Sequence, residues 1–349
     1  MRRTSKLLRW ANIILIFVTL GAYLSPYFHP SSGWLFSVLG LLYPWLLLAN
    51  VLFVIIWLLL SNHYFLFSLC CIILGWDHFT GFVGFHQANS STADSDLVVM
   101  TYNCHGLMKI NSQEYMTPEE LQKLVDKYQP DLLCLQEFPF MQSKAPPYVE
   151  RLQQKTKLKY FHRVAGGGVA VFSRYPFGKK DGKYFTNKAN GYLYIDIKKG
   201  DKTLRLFNVH LQTNAVSGIA NRVAREGNFQ EKETWLNIKG MLGRYRRSAG
   251  MRADQAREIA SNIARSPHPV LVCGDFNDVP QSYTYHQLAV GLNDSFKEAG
   301  RGVGTTFNGS IPALRIDYIL AAPSLPIKNH QNDHSPFSDH YPVISTITF

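Results

Sequence analysis

Five short segments of this 349-residue chain end or begin in residues that handle protons and anions. Asn103 closes the first, Glu137 the second and His210 the third. Asp275 and Asn277 follow the fourth, and Asp339–His340 leads into the last. The most informative stretch is VLVCGDFND, from Val270 to Asp278. Its apolar, mostly β-branched start reads as a buried central strand, which Gly274 is expected to break. Alternation then aims Asp275 and Asn277 the same way at the strand's C-terminal edge. An Asp/Asn/Gly turn is the plain alternative. A carboxylate accepts a proton, an amide donates to an anion and an imidazole does either. Gathered at strand ends, such residues describe one convergent site. No CxxC or Cys/His zinc spacing accompanies them.

These side chains need rigid elements behind them. Residues 97–105 (LVVMTYNCH) and 131–138 (DLLCLQEF) read as strands with polar ends. Between them, residues 118–128 read as a helix, with Thr117 as N-cap, Pro118 at N1 and Glu120 at N3. A strand and turn follow at 166–177 (GGGVAVFSRYPF), where Gly166–Gly168 supply a permissive entry and Arg174 braces the turn. Residues 192–212 read as a hairpin turned at Lys199–Asp201. Residues 214–265 are helical, charged and interrupted. Near the end of that region Ala253, Ala256, Ile259, Ala260 and Ile263 form one apolar face. RIDYIL (315–320) and the segment led in by SDHYPV (338–343) are the last strands. Helices alternate with strands, several of which meet as hairpins. The expected fold is therefore α+β: two packed mixed β-sheets flanked by helices, a four-layer α/β sandwich.

In this order, TYNCH, LQEF, GGGVAVFSRYPF, NVHL, GDFND, RIDYIL and SDHYP make the chain resemble the endonuclease/exonuclease/phosphatase superfamily. That is the fold of pancreatic-type deoxyribonuclease, exonuclease III, neutral sphingomyelinases and inositol polyphosphate 5-phosphatases. The resemblance covers about residues 96–349. It implies that Asn103 and Glu137 bind a metal, with Asp339 a further acid near it, acting directly or through water. Such hard oxygen ligands suit Mg²⁺ or Mn²⁺ rather than zinc. It implies that Asp275 orients or deprotonates the attacking water. Asn277 would donate to a non-bridging phosphoryl oxygen. His210 and His340 would contact the phosphate, His340 alternatively serving as an acid on the metal side. Asp317 would hold the histidine of SDH. Several nuclease relatives also carry an active-site tyrosine. Tyr175, Tyr184, Tyr192 and Tyr194 are the candidates, and their surroundings in the sequence place none of them.

Up to residue 87 the chain is almost wholly apolar, with Arg2, Arg3, Lys6, Arg9 and Asp77 its formal charges. Leu7 to Leu24 and Trp34 to Leu60 are candidate membrane spans, the second kinked at Pro44. Tyr64 to Phe85 is a weaker third, broken by Asp77 and His78. Residues 1–87 thus read as a membrane anchor of two to three transmembrane helices, 88–96 as a polar linker and 97–349 as the catalytic domain. Three spans with a basic end inside put that domain on the non-cytoplasmic side; two put it back inside. Beyond residue 87 the chain carries 32 basic and 24 acidic residues, an excess of about 8 that favours an anionic phosphate-ester partner, nucleic acid or phospholipid and inositol phosphate alike, a solubilising surface being the plain alternative. The five cysteines read as buried thiols rather than a disulfide framework. The expected activity is hydrolysis of a phosphodiester or phosphate ester. The alternatives are a lipid-directed rather than nucleic-acid-directed enzyme, and an inactive membrane scaffold. Residues 227–250, with RYRR and Trp235, suit either nucleic acid or an anionic bilayer.

Overall fold

The computed structural model describes residues 2–86, 96–110, 112, 114–139, 145–185, 190–213, 232–309, 314–335 and 337–349. The strands are β1 (Val83–Phe85), β2 (Asp96–Asn103), β3 (Leu132–Gln136), β4 (Tyr160–Arg163), β5 (Ala170–Ser173), β6 (Phe177–Tyr184) and β7 (Gly191–Lys199). They continue as β8 (Lys202–His210), β9 (Val270–Asp275), β10 (Asn293–Asp294), β11 (Arg301–Val303), β12 (Asp317–Ala321), β13 (Ile327–Asn332) and β14 (Val343–Thr348). One sheet runs β13-β14-β2-β3-β5-β4 and the other β10-β12-β9-β8-β7-β6. Both are mixed: β2·β3 and β8·β9 pair in parallel, and their neighbours are antiparallel.

Period-two alternation explains how they stack. Leu97, Val99, Leu132 and Cys134 face Leu193, Ile195, Leu204, Leu206, Leu271 and Cys273 in one buried cluster between the sheets. The opposite faces carry Met100, Tyr102, Leu133, Leu135 and Phe172 on one sheet, and Phe207, Val209, Val272 and Leu320 on the other. Helices cover both outer faces, giving the expected four layers. One face takes Leu121, Leu124, Val125 and Leu152, from helices Pro118–Tyr128 and Pro146–Lys155. The first of these begins with the expected capping box, Thr117 reciprocated by Glu120. The other face takes Ala256, Ile259, Tyr285 and Leu288, from helices Lys232–Ala264 and Tyr283–Ala289.

The N-terminal part forms α1 (Arg2–Tyr23), α2 (Trp34–Leu41), α3 (Tyr43–Leu59), α4 (Phe65–Leu74) and α5 (Trp76–Thr80). The segment expected as one kinked span over 34–60 is instead two helices bent by 61°. The break falls at Leu42, and Pro44 occupies the first turn of α3, where its missing N–H costs nothing. The weaker candidate over 64–85 becomes α4, α5 and β1. The helix Lys6–Tyr27 is long and apolar enough to cross a membrane, and the bent pair passes the same test together. Polar groups of these helices turn inward. Asn12 Nδ2 donates to Ser68 Oγ (2.6 Å), Trp57 Nε1 to Asn12 Oδ1 (2.9 Å) and Asn50 Nδ2 to Thr19 Oγ1 (2.9 Å). Leu7, Ile14, Phe17, Leu48, Leu52, Ile55 and Leu59 are exposed on the outside.

The helical region before β9 is uninterrupted over its described length, Lys232–Ala264. Its earlier part, from 214 to 231, lies outside the described residues, as does the expected linker apart from Asp96. All five cysteines are free, and four of them are buried.

Candidate active site

Register alone assembles half of the site. In the second sheet His210 of β8 and Asp317 of β12 both sit opposite Asp275 of β9. In the first, β2 and β3 run parallel with Asn103 beside Gln136, so Glu137 emerges next to Asn103. Both groups occupy the same edge of the sandwich and meet across it. Asn103 Nδ2 donates to Asp275 Oδ2 at 2.9 Å and to Glu137 Oε1 at 3.1 Å.

Gly274 does not break the strand as expected. It pairs within β9 with φ near +138°, and a Cβ there would lie 2.0 Å from Val209 O. Glycine at this position lets β8 and β9 close up beneath the site. The turn that follows is built by Asn277, at φ +53°, a conformation Asn tolerates better than most residues. Its backbone N–H donates to Asp275 Oδ1 (2.8 Å) and its Nδ2 to Oδ2 (3.0 Å). The two alternatives for GDFND thus coexist, because the turn is what presents the carboxylate. With Asn103, three of about four lone-pair positions on Asp275 are engaged, leaving one for a further partner. Burial lifts Asp275 to about 6, and His340 and His210 oppose the rise.

His340 Nδ1 lies 2.9 and 3.1 Å from the two Asp317 oxygens, and its Nε2 lies 3.8 Å from Asp275 Oδ2. Burial disfavours its charge, but Asp317 and Asp275 outweigh burial and raise it to about 10. His340 is therefore an imidazolium at neutral pH. Asp317 is in turn held by Thr306 Oγ1, which accepts its backbone N–H at 3.0 Å. His210 is buried, and neither ring nitrogen has a hydrogen-bond partner among the described residues. Its Nε2 stands 3.6 Å from Glu137 Oε1 and 3.7 Å from Asp275 Oδ2.

Asp339 is turned differently from the other acids. Its Oδ1 bonds His105 Nδ1 at 2.7 Å, and both line a cavity of about 510 Å³ with Lys109, Ser112 and Asn308. Burial opposes ionisation of Asp339, but the His105 bond and the His340 charge hold its carboxyl below the ordinary value. That same bond raises His105. His105 was not anticipated as a site residue, although it stands two places after Asn103 in TYNCH. Its backbone lies in the left-handed region, at φ +48°.

Glu137 too has positive φ, +53°. A Cβ on Gly168 would lie 2.9 Å from Glu137 Cα, so the glycine entry to β5 is what lets this strained corner pack. Arg174 braces a turn as expected, its backbone N–H and guanidinium both on Asp131. The four tyrosines serve elsewhere. Tyr184 OH accepts from Val169 N, Tyr192 OH meets Glu258, Tyr194 stacks under Arg205 and Tyr175 lies beside Arg174.

The residues match a family description, that of the Endonuclease/Exonuclease/phosphatase family, over residues 100–340. The chain belongs to this family. Residues 5–82 match a second description, a domain of unknown function (DUF8431). No curated protein matches the chain. Among solved structures, an endonuclease/exonuclease/phosphatase from Beutenbergia cavernae is similar at 19% identity and a TM-score of 0.52. The match covers 73% of this chain and 72% of that one. A D. rerio TDP2 humanized by 14 mutations is similar at 18% identity and a TM-score of 0.50, covering 73% of this chain and 100% of that one. These likenesses establish the fold.

A divalent cation fits one part of the site better than another. Asp275, Asp317 and His340 offer ligand atoms within 4.8 Å of one another, but the carboxylate oxygens of Asp317 are already engaged by His340 Nδ1. Asn103 and Glu137 are different. The carboxamide of Asn103 faces two carboxylates, and turned end for end it offers Oδ1 where Nδ2 now stands. Glu137 is half-buried rather than sealed. An all-oxygen set of this kind suits Mg²⁺ or Mn²⁺.

Proposed function

We propose that the chain is a membrane-held, divalent-metal-dependent hydrolase that cleaves a phosphate ester by in-line attack of water. The observation that supports this best is geometric: a buried carboxylate, Asp275, stands 3.8 Å from Nε2 of a buried imidazole, His340, which Asp317 holds at 2.9 Å, with Asn103 and Glu137 alongside. A base poised near the working pH is well matched to taking a proton from water. In this reading Asp275 accepts that proton on a free lone pair, while the backbone N–H and Nδ2 of Asn277 fix its plane. His340, held by Asp317, and His210, buried with no hydrogen-bond partner among the described residues, donate to the non-bridging phosphoryl oxygens as charge builds there. Asn103 and Glu137, with Asp339 as a further acid, would hold Mg²⁺ or Mn²⁺, which when bound would supply Lewis-acid stabilisation of charge on the phosphoryl group and leaving oxygen.

Metal removal is the direct test. Dialysis against EDTA is expected to abolish cleavage of bis(p-nitrophenyl) phosphate, and Mn²⁺ or Mg²⁺ to restore it. Glu137→Gln is expected to weaken Mn²⁺ binding, read by electron paramagnetic resonance. Full turnover after chelation would overturn the metal assignment.

The membrane part of the proposal rests on the inverted character of α1, α3 and α4, apolar outside and hydrogen-bonded inside. Arg9 Nη1 bonds Tyr64 OH at one end of this bundle (3.1 Å), while Tyr23 OH bonds Cys71 O at the other (3.0 Å). The catalytic part docks at the second end, through Tyr245 OH on Ser37 O and Gln281 Nε2 on His78 O. With the basic N-terminus inside, it lies on the non-cytoplasmic side. An impermeant maleimide on intact cells should label Lys180→Cys in a background lacking the native cysteines. Labelling only after lysis would reverse the topology.

A lipid-borne phosphate is favoured over nucleic acid because the basic RYRR stretch sits against the anchor, with Arg246 Nη2 on Ser31 O. Cleavage of DNA or RNA, with sphingomyelin and phosphoinositides untouched, would reverse that choice.

A further inference from the structure

A groove of about 440 Å³ lies between the start of α2 and the first turns of the helix Lys232–Ala264, well before the residues of that helix that support the site. It is lined by Trp34, Trp235, Ile238, Leu242 and Gly243, with Lys239 and Arg246 at its edge. The wall is mostly hydrocarbon and aromatic, and the polar groups at the edge are both cationic. From Thr234 to Ala253 the helix carries no acidic residue, while Lys239, Arg244, Arg246 and Arg247 are basic.

Two glycines mark space that no described residue fills. Gly240 and Gly243 lie inside the helix, where each costs about 1 kcal/mol relative to alanine. A Cβ on either would meet nothing within 4 Å. Neither glycine is therefore explained by packing between described residues, and Gly243 opens directly into the groove. Beneath this stretch Tyr245, Ala249 and Met241 pack on Val38 and Leu41 of α2. The groove is thus fixed to the anchor and continuous with its apolar exterior, where Leu35 is exposed next to Trp34. Lys239 forms no hydrogen bond or ion pair with any described residue. Arg246 spends one N–H on Ser31 O at 3.3 Å, leaving further donors of its guanidinium fork.

We propose that this groove binds one anionic phospholipid of the surrounding bilayer, with an acyl chain over Gly243 between Trp34 and Trp235 and the headgroup phosphate at Lys239 and Arg246. Aromatic side chains suit the hydrocarbon–headgroup boundary, and paired basic residues favour an anionic headgroup over a zwitterionic one. The inference rests on the bilayer placement of α1, α3 and α4 and does not depend on which phosphate ester the catalytic site cleaves. From Arg246 to Arg252, which donates to Gln212 O beside the site, the helix rises about 9 Å.

The test uses the full chain, purified from nanodiscs of equal parts phosphatidylcholine and phosphatidylglycerol and released for native mass spectrometry. Wild type is expected to retain one phosphatidylglycerol. Gly243→Phe, which fills the groove, and Lys239→Glu are each expected to lower that occupancy by about tenfold or more. Turnover of the soluble phosphodiester should be unchanged in both, which shows that they fold. Equal retention by wild type and Gly243→Phe, or retention of phosphatidylcholine alone, overturns the groove. Sedimentation through a carbonate wash is scored separately. A chain that leaves the membrane there refutes the bilayer placement, whereas a chain that stays but carries no lipid refutes the groove alone.

Discussion

Asp317→Asn should lower the turnover of a simple phosphodiester by about two to four orders of magnitude, the range typical of a lost proton-handling or charge-stabilising group. The residue touches no substrate in the proposed reaction and acts through His340. Its two oxygens lie 2.9 and 3.1 Å from His340 Nδ1 and are the first cause of that ring's raised pKa after the opposing effect of burial. An amide of the same shape keeps the backbone bond to Thr306 but removes the charge. His340 then loses its hold on the proton, and the ring is free to reverse. His340→Asn should fall equally far, and the double variant should fall little further, because the two residues form one device. Steady-state rates with saturating Mn²⁺ give the comparison, with circular dichroism to confirm folding. A single variant that keeps turnover within a factor of a few would remove His340 from the chemistry.

Asp294→Asn should destabilise the catalytic part by about 3–5 kcal/mol, the range for stranding a buried charge. Arg315 is almost wholly buried and forks onto Asp294 with Nη1–Oδ1 at 3.0 Å and Nη2–Oδ2 at 2.7 Å. Its Nε donates to Gly81 O at 3.0 Å, and Tyr285 OH donates to Asp294 Oδ2 at 2.6 Å. Burial alone would raise Asp294, yet the guanidinium and these donors hold it at about 2. A depressed carboxylate contributes stability that is complete above its unfolded value near 4 and is lost as pH falls through about 2. The gap between wild type and Asp294→Asn in urea midpoint should therefore be full at pH 7 and shrink below about pH 4. A gap independent of pH would mean that shape, not charge, is what Asp294 contributes. Because Arg315 precedes Asp317 by two residues and grips Gly81, the variant should also loosen the contact between catalytic part and anchor.

Much of this was legible in the residues. Unbroken apolar runs in LVVM, LLCL and VLVC point to strands buried on both faces, and Thr117–Glu120 dictates a helix start. The convergence of Asn103, Glu137, His210, Asp275, Asn277, Asp317 and His340 at one edge follows from strand register. That register could be anticipated only from the order of the motifs. What could not be read were contacts between residues far apart in the chain. Nothing local says that Asp339 turns toward His105, or that Gly168 must leave room for the Glu137 backbone. Likewise Gly274 looks like a strand breaker, because sequence shows its missing side chain but not the Val209 carbonyl that requires the gap. The run over 34–60 reads as one span on hydropathy, which does not register the break at Leu42.

Between the two sheets, just below the site, Gln136 Nε2 donates to Asn208 Oδ1 at 2.6 Å and to Thr101 Oγ1 at 3.0 Å. Asn208 Nδ2 reaches back across to Leu135 O and Ala170 O. Asn103 and Glu137 belong to one sheet, His210 and Asp275 to the other, so the reacting groups sit on two separate plates. An apolar interlayer resists being pulled apart but tolerates sliding, since its attraction has no direction. The amide pair works like a dowel through both plates, fixing their lateral position within hydrogen-bonding tolerance. Rigidity of the fold and alignment of the chemistry are thus assigned to different atoms. Replacing the dowel with leucine would leave the plates together while letting the cutting edges drift out of true.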